Sequence, residues 1–423
     1  MRAQIELLWL FEVEEAASAR LLTADLGPLA WFDHVMELPL LAVQTSLTDP
    51  LCTLWVRRAR EACVSASNAD LRRVVGRFAV PALAALSSGG GSAAATTIDL
   101  PSHFSLPKPA VAIVRPKAGP IEIAVHDGVI RLDGGAGIIW PDGSIEVNDT
   151  GRLNLLPTPI ATGYGVRVEA LEPSLRGQFP WIDDSEYDAQ IWTRRLDASA
   201  ALLEACNPDM YAEMRRNLVV VVPTSSGPIA RHSTGSNRDA WGAVSTSLVG
   251  DPFFTDGLIH EHRHDLLNSI AMAAPLFEAD GSATVERYYS PWRPEPRHVT
   301  GLLHAVFVFA EVCEFYIRVL AATPAGVADS VDTVRTELGL QVTRLRLGLC
   351  ELEEATGLTL FGRQLLGALS QRAQVLHDEA IALDALADPH VGQTLREHYA
   401  CYREKWGVAA TTDINAGIRL WAT

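Results

Sequence analysis

Three Asp-Gly pairs, Asp127-Gly128, Asp133-Gly134 and Asp142-Gly143, fall close together between short apolar runs. An Asp-Gly step readily adopts the positive φ angles of a tight hairpin turn, so each pair predicts a chain reversal. The runs are Val111–Val114, Ile121–Val125, Val129–Leu132, Ile138–Trp140 and Ser144–Val147. They are too short for helices and mostly rich in β-branched residues, which predicts strands joined by turns. Residues 108–180 therefore read as a β-rich region, and the rest of the chain must be built differently.

The flanks follow a helical period. Leu71, Val74, Val75 and Phe78 recur at helical spacing, and Thr48-Asp49-Pro50 offers an N-cap followed by a first-turn proline. Residues 1–88 thus predict a helical N-terminal region. Ser87-Ser88-Gly89-Gly90-Gly91-Ser92, running on into Ala93–Thr97, has linker composition, and 89–107 are expected to be a linker.

Beyond residue 180 the pattern predicts a helix over 184–206 and strands at Leu218–Pro223 and Val244–Leu248. A helix is expected to open at Asp251-Pro252 and end at Pro275, with a short β-prone stretch at Ala283–Tyr289. Long helices are expected over 298–321, 327–355, 360–385 and 388–405. No internal repeat is present. The fold class predicted is α+β, with a mainly helical body over 181–423 set beside the smaller β-rich region.

Composition narrows the function classes. At 423 residues the chain can hold two domains or one large core. Acidic residues outnumber basic ones by 51 to 35, a net charge of −16, which argues against nucleic acid as the main partner. Glu6, Glu12, Glu14 and Glu15 interrupt the apolar run that a signal peptide needs. No stretch approaches the roughly 20 apolar residues of a membrane span. Six scattered cysteines without a CxxC pair fit reduced thiols, and the expectation is a cytoplasmic protein without a membrane partner.

The chemistry-bearing motif is His260-Glu261-His262-Arg263-His264, an HExxH sequence on the helix after Asp251-Pro252. Residues i and i+4 stack on one helix face, so His260 and His264 can aim two imidazoles at one divalent metal. Glu261 stands one step round, where its carboxylate could handle a proton. The face continues as Leu267, Ala271 and Ala274, whereas a solvated histidine face would continue polar. His262 points elsewhere and is expected to be a bystander.

A third ligand must come from another element. His304, in Gly301-Leu302-Leu303-His304, shares a face with Val308, Glu311 and Phe315, and Gly301 would allow a close helix approach. The other reading of His304, and the more usual one for a lone histidine, is a core residue hydrogen-bonded to a carbonyl. Glu311 is the rival ligand, since HExxH followed by a glutamate on a later helix is a zinc-peptidase set. Spacing leaves both open. Between the two helices runs Tyr288–His298, stiffened by Pro291, Pro294 and Pro296, whose Arg293 and Arg297 could grip a carboxylate in a bidentate fork. Upstream, the small polar residues of Arg231–Ser236 could line a pocket, with His232 a weaker ligand candidate than His304.

The segments Arg231-His232-Ser233, Ala243–Leu248, His260–His264, Tyr289–Arg293 with Pro296-Arg297, and Gly301–His304 running to Phe307 and Phe309 resemble the α-ketoglutarate-dependent HExxH-type peptide β-hydroxylases of natural-product gene clusters. The resemblance covers about residues 175–325, is loose over the helical C-terminus, and is not claimed for residues 1–105. It implies an iron(II) centre that uses α-ketoglutarate and O2 to hydroxylate a side-chain β-carbon of a peptide, with a ribosomal precursor as one candidate. It implies His260, His264 and His304 as ligands, and Arg293 or Arg297 as the grip on the distal carboxylate of α-ketoglutarate. Glu261 would then support a ligand or a bound water rather than act as a hydrolytic base. Lacking a CxxxCxxC motif, the chain would be a free-standing oxygenase. The alternatives are a zinc metallopeptidase, with Glu261 as general base and Glu311 as third ligand, and a non-catalytic helical binding protein.

Overall fold

The computed structural model describes residues 47–65, 79–100, 103–107, 110–170, 187–225, 232–279, 288–324 and 327–407, with single residues 35, 38, 77, 175 and 182. The helical run at Leu71–Phe78 and most of the β-prone stretch at Ala283–Tyr289 lie outside them. The fold is mixed α+β with a helical C-terminal body. The chain divides into two compact units, Met1–Asp197 with Arg215–Leu248, and Ala198–Met214 with Val249–Thr423.

The first unit opens with helices α1 (Pro50–Ser65) and α2 (Ala79–Gly89). Asp49 caps α1 by accepting the Leu51 amide at 3.0 Å, as Thr48-Asp49-Pro50 predicts. Ten strands follow: β1 (Ala93–Leu100), β2 (His103–Leu106), β3 (Val111–Val114), β4 (Gly119–His126), β5 (Val129–Leu132), β6 (Gly137–Ile139), β7 (Ile145–Val147), β8 (Asn154–Pro157), β9 (Ile160–Ala161) and β10 (Val166–Val168). Asp127 and Gly128, with φ of 49° and 78°, make the hairpin between β4 and β5, where His126 faces Val129. The linker expected over 89–107 is instead β1 and β2. Residues 96–100 (Thr-Thr-Ile-Asp-Leu) have the β-branched character to pair, and β1 runs antiparallel to β4 with Ile98 opposite Ile121.

Three sheets result. One is ordered β1-β4-β5-β6-β7, another β2-β3-β8, and both are antiparallel. The third has the order β12-β13-β11-β10-β9, using β11 (Val220–Pro223), β12 (Thr234–Ser236) and β13 (Ala243–Thr246). Its central strands β10, β11 and β13 are parallel, and β11 and β13 are buried at every residue, as strands covered on both faces must be. These strands were expected within the helical 181–423 region. They belong to the β-rich unit because they pair with β10. The core of this unit joins Leu51, Leu54 and Leu83 to Ile98, Ile113, Ile123, Ile130 and Val220.

The second unit holds α5 (Phe253–Ala273), α6 (Val299–Ala322), α7 (Val331–Glu353), α8 (Leu360–Ala382) and α9 (Pro389–Trp406). The expected long helices all form, within a few residues of their predicted ends. Helices α3 (Ala189–Cys206) and α4 (Pro208–Asn217) are each divided between the units. At the start of α5, Pro252 rather than Asp251 takes the cap position, and Asp251 Oδ1 accepts the Thr255 hydroxyl at 3.2 Å. α6 packs against α5, α7 and α8, and its fully buried Leu302, Leu303, Val306 and Phe315 make it the central helix of this body. Among the described residues no helix is long and apolar enough to cross a membrane.

Candidate metal centre

Helix α5 does what the HExxH spacing predicts. His260 and His264 lie one turn apart with Nε2 atoms 3.2 Å from each other and rings edge to face. From α6, His304 brings its Nδ1 to 3.1 Å from His264 Nδ1. The three histidines are thus neighbours, with His264 in the middle. It faces His260 with one ring nitrogen and His304 with the other, and among the described residues no three His, Cys, Asp or Glu side chains converge on a single ion position. Neutral His264, with one N–H and one lone pair, can link its neighbours by hydrogen bonds.

The donor chemistry fits a metal. Nitrogens about 2.1 Å from a common ion lie about 3.0–3.4 Å apart at right-angled to tetrahedral geometry, which matches both close pairs. Ligation by all three requires the His264 ring to turn so that one nitrogen serves the ion. Burial, reinforced by His260, holds the His264 pKa down to about 3, and burial with the nearby Arg297 charge lowers that of His304 to about 4. Both rings are therefore neutral at pH 7, the form in which imidazole binds metals.

Glu261 is buried, its Oε1 3.9 Å from His260 Nε2. Glu311, the rival ligand, is committed elsewhere: Arg372 binds its Oε1, and Arg263 Nη2 lies 3.2 Å from its Oε2. His262 is no bystander. It is buried, its Nε2 meets Glu213 Oε1 at 3.0 Å, and Arg263 donates to the same carboxylate at 2.6 and 3.3 Å. The histidine hydrogen bond, with Arg263's charge, lowers the Glu213 pKa to about 2 against the opposing effect of burial. Of the expected apolar continuation, Leu267 is fully buried, while Ala271 and Ala274 are half-buried.

The loop between α5 and α6 is tightly held. Tyr288 and Arg297 exchange backbone hydrogen bonds of 2.8 and 3.0 Å, and buried Tyr289 reaches His398 of α9 at 3.0 Å. Trp292 donates its Nε1 proton to Gln341 Oε1 at 3.0 Å and lies against Gly348, where a Cβ would stand 2.8 Å from the indole. Its ring stacks on Phe309 at 5.1 Å, and Phe309 meets His260 edge to face at 5.0 Å. An aromatic wall therefore borders the histidines. Trp292 was visible in sequence as part of the stiff loop. Phe309 had a signal too, being five residues beyond His304 on the same helix, but its side of the helix was not predictable.

Arg293 is exposed. Arg297 is half-buried, and it fills the space left by Gly301, with Nη1 3.0 Å from where a Cβ would be. Gly301 thus accommodates an arginine rather than the helix contact expected of it. The guanidinium lies over the first turn of α6, one turn before His304, and no carboxylate pairs with it among the described residues. In the other unit, His232 hydrogen-bonds through Nε2 to Thr246 Oγ1 at 3.1 Å, and burial lowers its pKa to about 4. Arg231 lies outside the described residues. No protein-family model matches the chain, and a search of curated proteins returns no match, so the functional reading rests on the chain's own residues.

Proposed function

We propose that the protein is an iron(II)- and α-ketoglutarate-dependent oxygenase that hydroxylates a side-chain β-carbon of a peptide. The observation that carries this reading is the Arg297 guanidinium, which no carboxylate pairs with among the described residues, beside the adjacent imidazoles of His260, His264 and His304. A dicarboxylate co-substrate requires a fixed cation to hold its distal carboxylate near the metal, and a guanidinium supplies a bidentate grip of that kind. His260, His264 and His304 would hold iron(II), which together with α-ketoglutarate and O2 supplies the oxidising chemistry. The chain's share is to bind and orient. Arg297 takes the distal carboxylate in preference to exposed Arg293. Glu261 fixes the His260 side of the centre, and the Trp292–Phe309 wall shields it from water. The zinc-peptidase alternative needs Glu311, whose two carboxylate oxygens are already engaged by arginines. A peptide substrate, including a ribosomal precursor, and a cytoplasmic location belong to the same proposal.

Protein reconstituted anaerobically with iron(II) and then given α-ketoglutarate and O2 is expected to release succinate, slowly without a peptide. Arg297→Ala should raise the α-ketoglutarate concentration needed for half-maximal turnover by about 100-fold, the loss of a charge-assisted bidentate pair. Succinate formation unaffected by Arg297→Ala would remove the co-substrate assignment, and peptide hydrolysis abolished by Glu261→Gln would favour the peptidase.

A further inference from the structure

The β-rich unit contains a cavity of about 210 Å³ that no step of the proposed oxygenation uses. It lies between the β8–β9 turn, the end of β10 and the start of α3. Its walls are mainly apolar, with Pro157, Pro159 and Val168 among them, but three polar side chains also line it: Thr158, Glu169 and Tyr187. Thr158 is 7% exposed, and its hydroxyl has no hydrogen-bond partner among the described residues. A buried hydroxyl left unpaired costs about 1–3 kcal/mol, so it is either a defect or a contact awaiting a ligand.

Charge narrows the ligand. Glu169 accepts from Arg167 Nε at 3.2 Å and from the Ser105 hydroxyl at 2.9 Å, while Arg167 also binds Asp49 at 2.6 and 3.2 Å. One guanidinium thus serves two buried carboxylates, and one of them, Glu169, lines the cavity itself. An anion would be repelled there, and a group with a proton to donate would be welcomed. Size narrows it further. A dry cavity of about 150 Å³ admits benzene, so this one suits a single ring or a small fused ring with one polar atom.

We propose that this cavity is a binding site for an uncharged aromatic ring bearing an O–H or N–H donor, of phenol or indole type. Thr158 Oγ1 takes the polar atom and the proline–valine walls take the ring. Such a ring can come from a free small molecule or from a tyrosine or tryptophan side chain of a peptide, and the two sources present the same chemistry to the site.

Calorimetric titration of the full chain with p-cresol, indole, toluene and benzoate tests the proposal, with N-acetyl-tyrosinamide as the peptide-like probe. Saturable binding of p-cresol or indole is expected, with toluene and benzoate each at least about tenfold weaker. Thr158→Val should erase the preference for p-cresol over toluene, and Ala189→Leu, at a half-buried position on the rim, should abolish binding. Binding of p-cresol but not of N-acetyl-tyrosinamide identifies a free molecule as the source, and the reverse order identifies a side chain. If no ring compound binds, if benzoate binds as well as p-cresol, or if Ala189→Leu leaves binding intact while circular dichroism shows it folded, the site assignment fails.

Discussion

At the scale of single residues, the third-ligand question separates two chemistries. His304→Ala should abolish stoichiometric iron(II) binding, whereas Glu311→Ala should retain it, as measured by metal content after anaerobic reconstitution and desalting. Glu311→Ala instead strips Arg263 and Arg372 of a shared partner, and should cost about 2–3 kcal/mol in denaturant unfolding. The reverse pattern, metal lost with Glu311 and kept without His304, would move the chain to the peptidase class. Legibility at this scale depended on distance along the chain. His260 and His264 were readable because one helix fixes their relation. The competition between His304 and Glu311 was not, because each lies on α6 and their difference is made by Arg263 on α5 and Arg372 on α8, which no spacing rule joins.

At the scale of elements, two contacts set how α5 and the Trp292 loop present the site. Glu213 of α4 grips consecutive residues His262 and Arg263, which fixes the rotation of α5 and so turns His260 and His264 toward α6. Its folded pKa of about 2 lies below the ordinary 4.5, so its ionised form is favoured by folding. That stabilisation is complete above pH 4.5 and is lost as pH falls through about 2. Discounted for the partial exposure of Glu213, it amounts to about 2 kcal/mol. Glu213→Gln should therefore destabilise the protein by about that much at pH 7, with a penalty that shrinks by pH 3 in chemical unfolding. A penalty equal at both values would mean that the carboxylate's charge is not what holds the helix.

Gly348→Ala tests the second contact. A methyl 2.8 Å from the indole must displace Trp292 from Phe309, at a cost of about 1–3 kcal/mol and with a shift in tryptophan emission. The helices themselves were plainly written, since long apolar periods with cap residues survive any tertiary context. The run at Ser87–Thr97 misled because glycine and serine weigh heavily in a short window, while the pairing that makes β1 comes from β4, more than twenty residues on.

For the whole molecule, the excess of 51 acidic over 35 basic residues has a cost that no single contact reveals. Most ion pairs among the described residues join an arginine to a carboxylate, and pairing leaves the net charge of −16 unchanged. Such a charge pushes the compact state apart through long-range repulsion. Raising NaCl from about 10 to about 150 mM shortens the screening distance from about 30 to about 8 Å, which damps distant repulsions far more than the shielded Arg167–Asp49 and Arg263–Glu213 pairs. The melting temperature should therefore rise with salt, by about 2 °C or more over that interval. The charge-neutral osmolyte sucrose, at matched osmolality, serves as the control for excluded-solute effects. A melting temperature that falls as salt is added would mean that exposed attractive pairs outweigh the net repulsion, and the balance of charge read from composition would not govern stability.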